Sequence, residues 1–190
     1  AAFAGLLMAS VTGSATEGIR SQWPLEDMRG EDLLTLARSR IERRTGLPTK
    51  LEAADSALWL RVDSFPLAQG LCYLAQRLKD EFSVRELRFR LLPAGAHAQL
   101  DVLWRGPPMS SETAFGWQSE PFTQGGEDSP LTLAQVSERH GGELWYQFDV
   151  PTQMAYFRFL LPLASSRVGA AARGAPPSRP EFYDFDLFHH

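Results

Sequence analysis

Cysteine is nearly absent. Cys72 is the single one in 190 residues, so no disulfide framework can form within the chain, and a cytosolic setting is favoured. It lies in an apolar helical pattern, which predicts a buried, inert thiol. Long apolar runs are missing too: none reaches the ~20 residues that a membrane-spanning helix needs. Positive charge is not in excess. The 19 Lys and Arg are outnumbered by 23 Asp and Glu, for a formal net charge of -4, so the composition advertises no nucleic-acid surface. No grouping of His, Cys and carboxylates has metal-ligand spacing. Neither a G-x-S-x-G elbow nor a phosphate-binding P-loop occurs, and there is no internal repeat. Ala1 stands where an initiator Met is expected and no basic signal region follows it, as in a piece of a longer chain. The terminal His189 and His190 read as the start of a purification tag.

What is present is an ordinary globular composition, 44% hydrophobic and 22% charged, enough for one cored domain with tails. The apolar, small-residue stretch Ala1 to Val11 reads as a helix remnant, and Thr12 to Pro24 as a loop. Glu31 to Arg44 has Leu33, Leu34, Ala37 and Ile41 on one helical face. Arg38, Arg40, Arg43 and Arg44 fill the other, as a solvated basic face. Thr45-Gly46 and Pro48 stop it. Thr49 to Ala53 and Leu58 to Val62 read as strands. Asp63 or Ser64 then caps a helix to about Phe82, with Leu67, Leu71, Leu74 and Leu78 as its core stripe.

A hairpin follows. Leu87, Phe89 and Leu91 alternate with charged residues, and Ala98, Leu100, Val102 and Trp104 do the same after Pro93-Ala94-Gly95. Gly106 to Asp128 is rich in Gly, Pro, Ser and Glu and reads as a long irregular loop of the lid or disordered kind. Ser129-Pro130 is read as a helix start and Gly141 as its stop. Glu143 to Phe148 and Gln153 to Leu161 are strands, the second with Ala155, Phe157, Phe159 and Leu161 on one apolar face. Ser165 to Pro180 is an Ala/Gly/Pro/Ser linker. This order predicts an α/β (α+β) two-layer sandwich, a mixed sheet with helices on one face. It divides into 1–23, a domain over 24–163, and a tail over 164–190.

The stretch SERHGGELWYQFDVPTQMAYFRFLLPL, Ser137 to Leu163, ends a helix in His-Gly-Gly and follows it with two strands closing on Leu-Pro-Leu. It resembles the last third of the ATP-binding domain of sensor histidine kinases, a fold shared with type II topoisomerases and Hsp90 chaperones. The resemblance spans roughly Pro24 to Leu163. DSFPLAQGLCYLAQRL, Asp63 to Leu78, is similar to the family's first nucleotide-binding helix, where one Asn contacts phosphate and another ligates magnesium. The corresponding residues here are Tyr73 and Arg77. Arg offers no oxygen to a hard metal. The family's Asp-x-Gly-x-Gly motif, whose Asp accepts from the adenine amino group, corresponds to WRGPP, with Trp104 for the Asp, Gly106 retained and Pro108 for the second Gly. An indole N–H only donates. The Gly-rich lid corresponds to QGGEDSPL, where Glu127 and Asp128 follow Gly125-Gly126 and repel an anion.

The resemblance therefore implies a vestigial nucleotide pocket at Tyr73, Arg77, Trp104, Gly106 and Pro108, with no catalytic residue, no metal site and no cofactor. It implies a non-catalytic kinase-like ATPase-fold module with a regulatory or protein-interaction role. The alternative is a domain or sensor that still binds ATP and magnesium, or another small ligand, by atypical contacts. Implied partners are other domains of the parent chain and a second copy docked through Ala1 to Val11. RPEFYDFDLF, Arg179 to Phe188, resembles a linker ahead of a 3′–5′ exonuclease domain like the proofreading subunit of DNA polymerase III. An aromatic tail docked on its own domain is the competing reading. Asp184 and Asp186 alone are too few carboxylates for a two-metal nuclease site. His140, at a helix end, suits a cation on the helix dipole. His97 points to the polar side of its strand. Trp104, Trp117 and Trp145 are expected in the core, or lining an apolar groove.

Overall fold

The computed structural model describes residues 24–164. The readings made for Ala1 to Val11, the loop that follows it, the linker from Ser165, Asp184 and Asp186 lie outside the described residues.

The first element is one the sequence reading missed: β1, Glu26–Arg29, pairs antiparallel with β3, Trp59–Val62, in a two-stranded sheet. Its four residues are mostly exposed and carry three charges, so they show no alternation to read. Helix α1, Gly30–Thr45, buries the expected stripe of Leu33, Leu34, Ala37 and Ile41. It ends at Gly46, whose φ of 75° closes the last turn with a bond from its N–H to the Glu42 carbonyl, 3.0 Å.

The main sheet runs β2-β4-β5-β7-β6. Its strands are β2 (Thr49–Ala54), β4 (Leu87–Ala94), β5 (His97–Arg105), β6 (Leu144–Asp149) and β7 (Met154–Pro162). Only the β2–β4 pair is parallel, so the sheet is mixed. Helix α2, Ser64–Phe82, lies against α1 and buries Leu67, Leu71, Leu74 and Leu78 completely. Each such burial contributes about 1.5–3 kcal/mol. One sheet face meets these helices through Leu87, Phe89, Leu91, Leu100, Val102, Phe157 and Phe159, all in a single core. The architecture is the expected two-layer α/β sandwich. Gly142 sets how closely the chain before β6 approaches the sheet, because a Cβ there would stand 1.8 Å from the Leu160 carbonyl oxygen.

Two further corrections concern the segment from Gly106. It is not a structureless loop. It holds α3, Ser111–Ser119, capped by the Ser110 hydroxyl, and a 3-10 turn, Phe122–Gly125. The next helix, α4, Leu133–Arg139, begins later than Ser129-Pro130 suggests. Thr132 and Gln135 form a reciprocal capping box, which satisfies two backbone donors at once. Ser129 instead accepts from the Leu131 N–H at 3.2 Å, a local turn before the helix.

Candidate functional site

Of the residues aligned with a nucleotide pocket, Tyr73 and Arg77 lie where α2 faces the segment from Gly106 to Thr132. Tyr73 and Arg77 lie one turn apart on α2. Tyr73 is fully buried and its hydroxyl donates to the Trp117 carbonyl at 2.5 Å. Burial pushes its phenol pKa up. Arg77 donates to Glu81 at 2.6 Å, to the Tyr73 hydroxyl at 3.2 Å and to Glu120. Its guanidinium also lies 4.9 Å from the centre of the Trp117 ring. Burial alone lowers the Arg77 pKa, but the hydrogen bonds to Glu81 and Glu120 outweigh it and the net shift is upward. Nε and Nη1 of this side chain are thus directed at the protein's own groups.

Trp104 and Trp117 are 1% and 2% exposed, as core packing requires. Trp104 stacks on Phe157 at 5.8 Å and meets Tyr146 at 6.1 Å. Trp117 stacks on Phe157 at 6.4 Å and meets Phe82 edge-on at 5.6 Å. Phe122 lies 5.2 Å from Tyr73. Trp145 differs: it is half-buried on the opposite sheet face, with Arg158 5.9 Å from its ring. Gly106 and Pro108 begin the covering segment, half-buried and exposed respectively. The Met109 N–H that follows donates to the Tyr146 hydroxyl at 2.7 Å.

Gly125 shows how close the covering segment comes. A Cβ there would lie 2.7 Å from the Tyr73 ring and 2.9 Å from the Tyr73 carbonyl oxygen, so only glycine permits this contact. Of the two acids expected to repel an anion, Asp128 is exposed but Glu127 is neutralised by arginines. Glu127 is 3% exposed and is held by Arg40 at 2.5 Å and Arg44 at 3.3 Å. Arg44 also donates to the Gly126 carbonyl at 3.1 Å. Arg40 and Arg44 are therefore anchors rather than a solvated face, and Arg38 donates to the Thr49 carbonyl at 2.9 Å. Desolvation raises the Glu127 pKa, but the Arg40 and Cys72 hydrogen bonds and the nearby guanidinium charges bring it below its ordinary value. The Cys72 thiol is buried, and burial with the Glu127 hydrogen bond pushes its pKa up to about 12, so it is unreactive.

His140 corrects a second charge expectation. It is 4% exposed, its Nε2 accepts from the Asp63 N–H at 3.0 Å, and its Nδ1 lies 2.7 Å from the Val136 carbonyl. Burial lowers its pKa, so the ring is the neutral Nδ1–H tautomer and not a cation on the dipole. The Asp63 side chain makes no cap bond to α2; it receives Arg139 at 2.9 Å instead. His140 and Arg139 thus pin the end of α4 to the start of α2. His97 is half-exposed at the head of β5.

Among the described residues, no three His, Cys, Asp or Glu are grouped to hold a metal ion. ATP with magnesium does not fit the groups present. At the aligned positions stand a stacked indole, a buried phenol and a guanidinium bound through Nε and Nη1 to carboxylates and a hydroxyl, none of which offers the oxygen acceptor that adenine and magnesium require.

No protein-family model and no curated protein sequence matches the chain. Its fold is that of histidine-kinase ATP-binding domains. The ATP-binding domain of PrrB from Mycobacterium tuberculosis superposes with a TM-score of 0.60 at 14% identity, covering 75% of this chain and 98% of that one. The catalytic domain of histidine kinase ThkA gives a TM-score of 0.55 at 17% identity, over 73% of this chain and 96% of that one. The histidine kinase domain of the E. coli osmosensor EnvZ gives 0.55 at 14% identity, over 75% and 91%. A complex of ThkA with the response regulator TrrA also matches, over 85% of this chain and 49% of that one, with a TM-score of 0.54 at 17% identity.

Proposed function

We propose that this chain is a non-catalytic module on the histidine-kinase ATPase scaffold, acting by protein interaction within a signalling or regulatory parent protein rather than by nucleotide turnover. One observation carries the reading: the segment from Gly106 to Thr132 packs Trp117, Phe122 and Gly125 onto Tyr73 of α2. Tyr73 and Arg77, at two of the aligned positions, direct hydrogen bonds to Trp117, Glu81 and Glu120, which supports the reading. The setting we propose is cytoplasmic. Among the described residues no helix is long and apolar enough to cross a membrane. The kinase that is complexed with a response regulator supports protein partners as a general mode for this scaffold. The resemblance of Arg179 to Phe188 to an exonuclease linker supports a parent chain with a nuclease domain. Dimerisation through Ala1 to Val11 remains part of the proposal, and light scattering on chains with and without those residues tests it.

Calorimetric titration with ATP and magnesium tests the central claim. No saturable heat is expected. Micromolar binding that weakens when residues around Gly106 are changed would overturn the reading. A thermal-shift series over other nucleotides addresses the alternative of atypical contacts, since any ligand of the native state raises the melting temperature.

A further inference from the structure

The sheet face turned away from the helices is built unlike an ordinary solvated face. Across it, Arg90, Asp101, Arg158 and Trp145 stand side by side on β4, β5, β7 and β6. Asp101 is 0% exposed although no described helix covers this side. Its carboxylate receives Arg90 at 2.7 and 2.9 Å, Arg158 at 2.7 and 3.0 Å, and Gln99 at 3.0 Å. In the adjacent row, Tyr156 lies between the two guanidinium groups, with Arg158 4.8 Å and Arg90 5.7 Å from its ring centre. Arg88 stands in that same row, its side chain 42% exposed. Two guanidinium groups, those of Arg90 and Arg158, therefore share a single buried carboxylate, interleaved with Trp145 and Tyr156. At the margin two further cations, Lys50 at 3.1 Å and Arg88 at 3.7 Å, share the Glu86 carboxylate. Arg90 and Arg158 are already held flat, so little rotamer entropy remains to be lost on contact.

The chain carries a segment of matching chemistry. EFYDFDLF, Glu181 to Phe188, has three acids, four aromatic residues and no basic residue. It is tethered to β7, the strand that bears Tyr156 and Arg158. The 16 residues from Ser165 to Pro180, rich in Ala, Gly, Pro and Ser, can bridge at most roughly 53–58 Å. Five strands at about 4.8 Å spacing are about 20 Å across, so the tether reaches any part of the face. Tethering also supplies an effective concentration in the millimolar range. We propose that the segment Glu181 to Phe188 docks on this arginine-aromatic sheet face, its carboxylates on Arg88 and the Arg90–Arg158 pair and its rings on Trp145 and Tyr156. The inference stands apart from the state of the nucleotide pocket, and the ATP titration does not bear on it.

Chymotrypsin cleavage of the full chain after Phe182, Tyr183 or Phe185 provides the test, because cleavage of a docked segment tracks the fraction undocked. The wild-type tail is expected to be protected. Arg88→Glu leaves the Asp101 cluster intact and should raise the tail cleavage rate roughly tenfold, a loss of about 1.4 kcal/mol of docking. Asp184→Asn with Asp186→Asn should do the same without touching the folded domain. Arg88→Glu combined with Asp184→Arg should restore protection. Cleavage of the wild-type tail as fast as a free peptide of the same sequence overturns the proposal. So does a rate that neither Arg88→Glu nor Trp145→Ala changes. A third outcome also overturns it, in favour of nucleic acid: an oligothymidine that binds the full chain, is weakened by Arg88→Glu, and leaves tail cleavage unaltered.

Discussion

Two parts of this domain meet the same sheet in different ways. The closing unit of α4, β6 and β7 is joined to its neighbours by backbone: a continuous antiparallel ladder, and Gly142 seated on the Leu160 carbonyl. The segment from Gly106 to Thr132 is joined by side chains: Trp117 on Phe157, Tyr73 on the Trp117 carbonyl, Glu127 on Arg40 and Arg44. Ladder contacts constrain mainly the residue period. Side-chain anchors depend on particular residues far apart in sequence. The first region can therefore stay recognisable while the second changes its chemistry.

The largest test of this contrast is Trp117→Ala. It removes a buried ring that touches Phe82, Phe157 and Arg77, and is expected to cost about 3–5 kcal/mol. Urea denaturation reads the cost as a lower midpoint. Amide exchange should show the loss concentrated between Gly106 and Thr132 and not in the β6–β7 ladder. Uniform deprotection of both regions would erase the distinction.

Glu127→Gln is the next in size. It leaves Arg40, with a side chain only 14% exposed, facing a neutral amide, and is expected to cost about 1–2 kcal/mol. The wild type should show the same weakness in acid. Because the folded Glu127 pKa lies below its ordinary 4.5, the stability it supplies is complete above that pH and is lost as pH falls through the folded value. Denaturation midpoints across that range should converge for wild type and Glu127→Gln.

The smallest effect belongs to the closing unit. His140 has a folded pKa below its ordinary 6.5, so its contribution is present above 6.5 and declines as pH falls through the folded value. Protonating Nε2 also converts the acceptor for the Asp63 N–H into a second donor. Thermal melts below pH 6.5 should fall more steeply for wild type than for His140→Gln. Equal slopes would remove His140 as the acid-labile pin between α4 and α2.

The same contrast separates what the sequence discloses from what it hides. The stripe from Leu67 to Leu78 and the alternation from Ala155 to Leu161 are local periods, and the sheet and helices follow from them. The Arg40–Glu127 pair joins residues 87 positions apart, and no periodicity reports it. Helix α3 buries only Ala114 and Trp117, too few to mark a face, and Gly and Pro around it read as loop. Of the aligned residues, Tyr73 and Arg77 touch each other, while Trp104 packs on Phe157 and Tyr146. Glu120 and Phe122, which pair with Arg77 and Tyr73, had no signal because their partners are on another element.

The contact of Gly125 with the Tyr73 backbone governs how substitutions around it combine. Changing Tyr73 to Asn would open a void beside Phe122 and release the Trp117 carbonyl, while Glu127 still clasped Arg40 and Arg44. Changing Arg77 alone would remove its contact with the Trp117 ring and its bond to the Tyr73 hydroxyl, leaving the half-exposed Glu81 and Glu120 to water. Each substitution toward an amide at these positions is unfavourable on its own, and neighbouring substitutions of this kind do not add. Tyr73, Trp117, Phe122 and Gly125 therefore act as one coupled unit, in which a single change costs more than a concerted one.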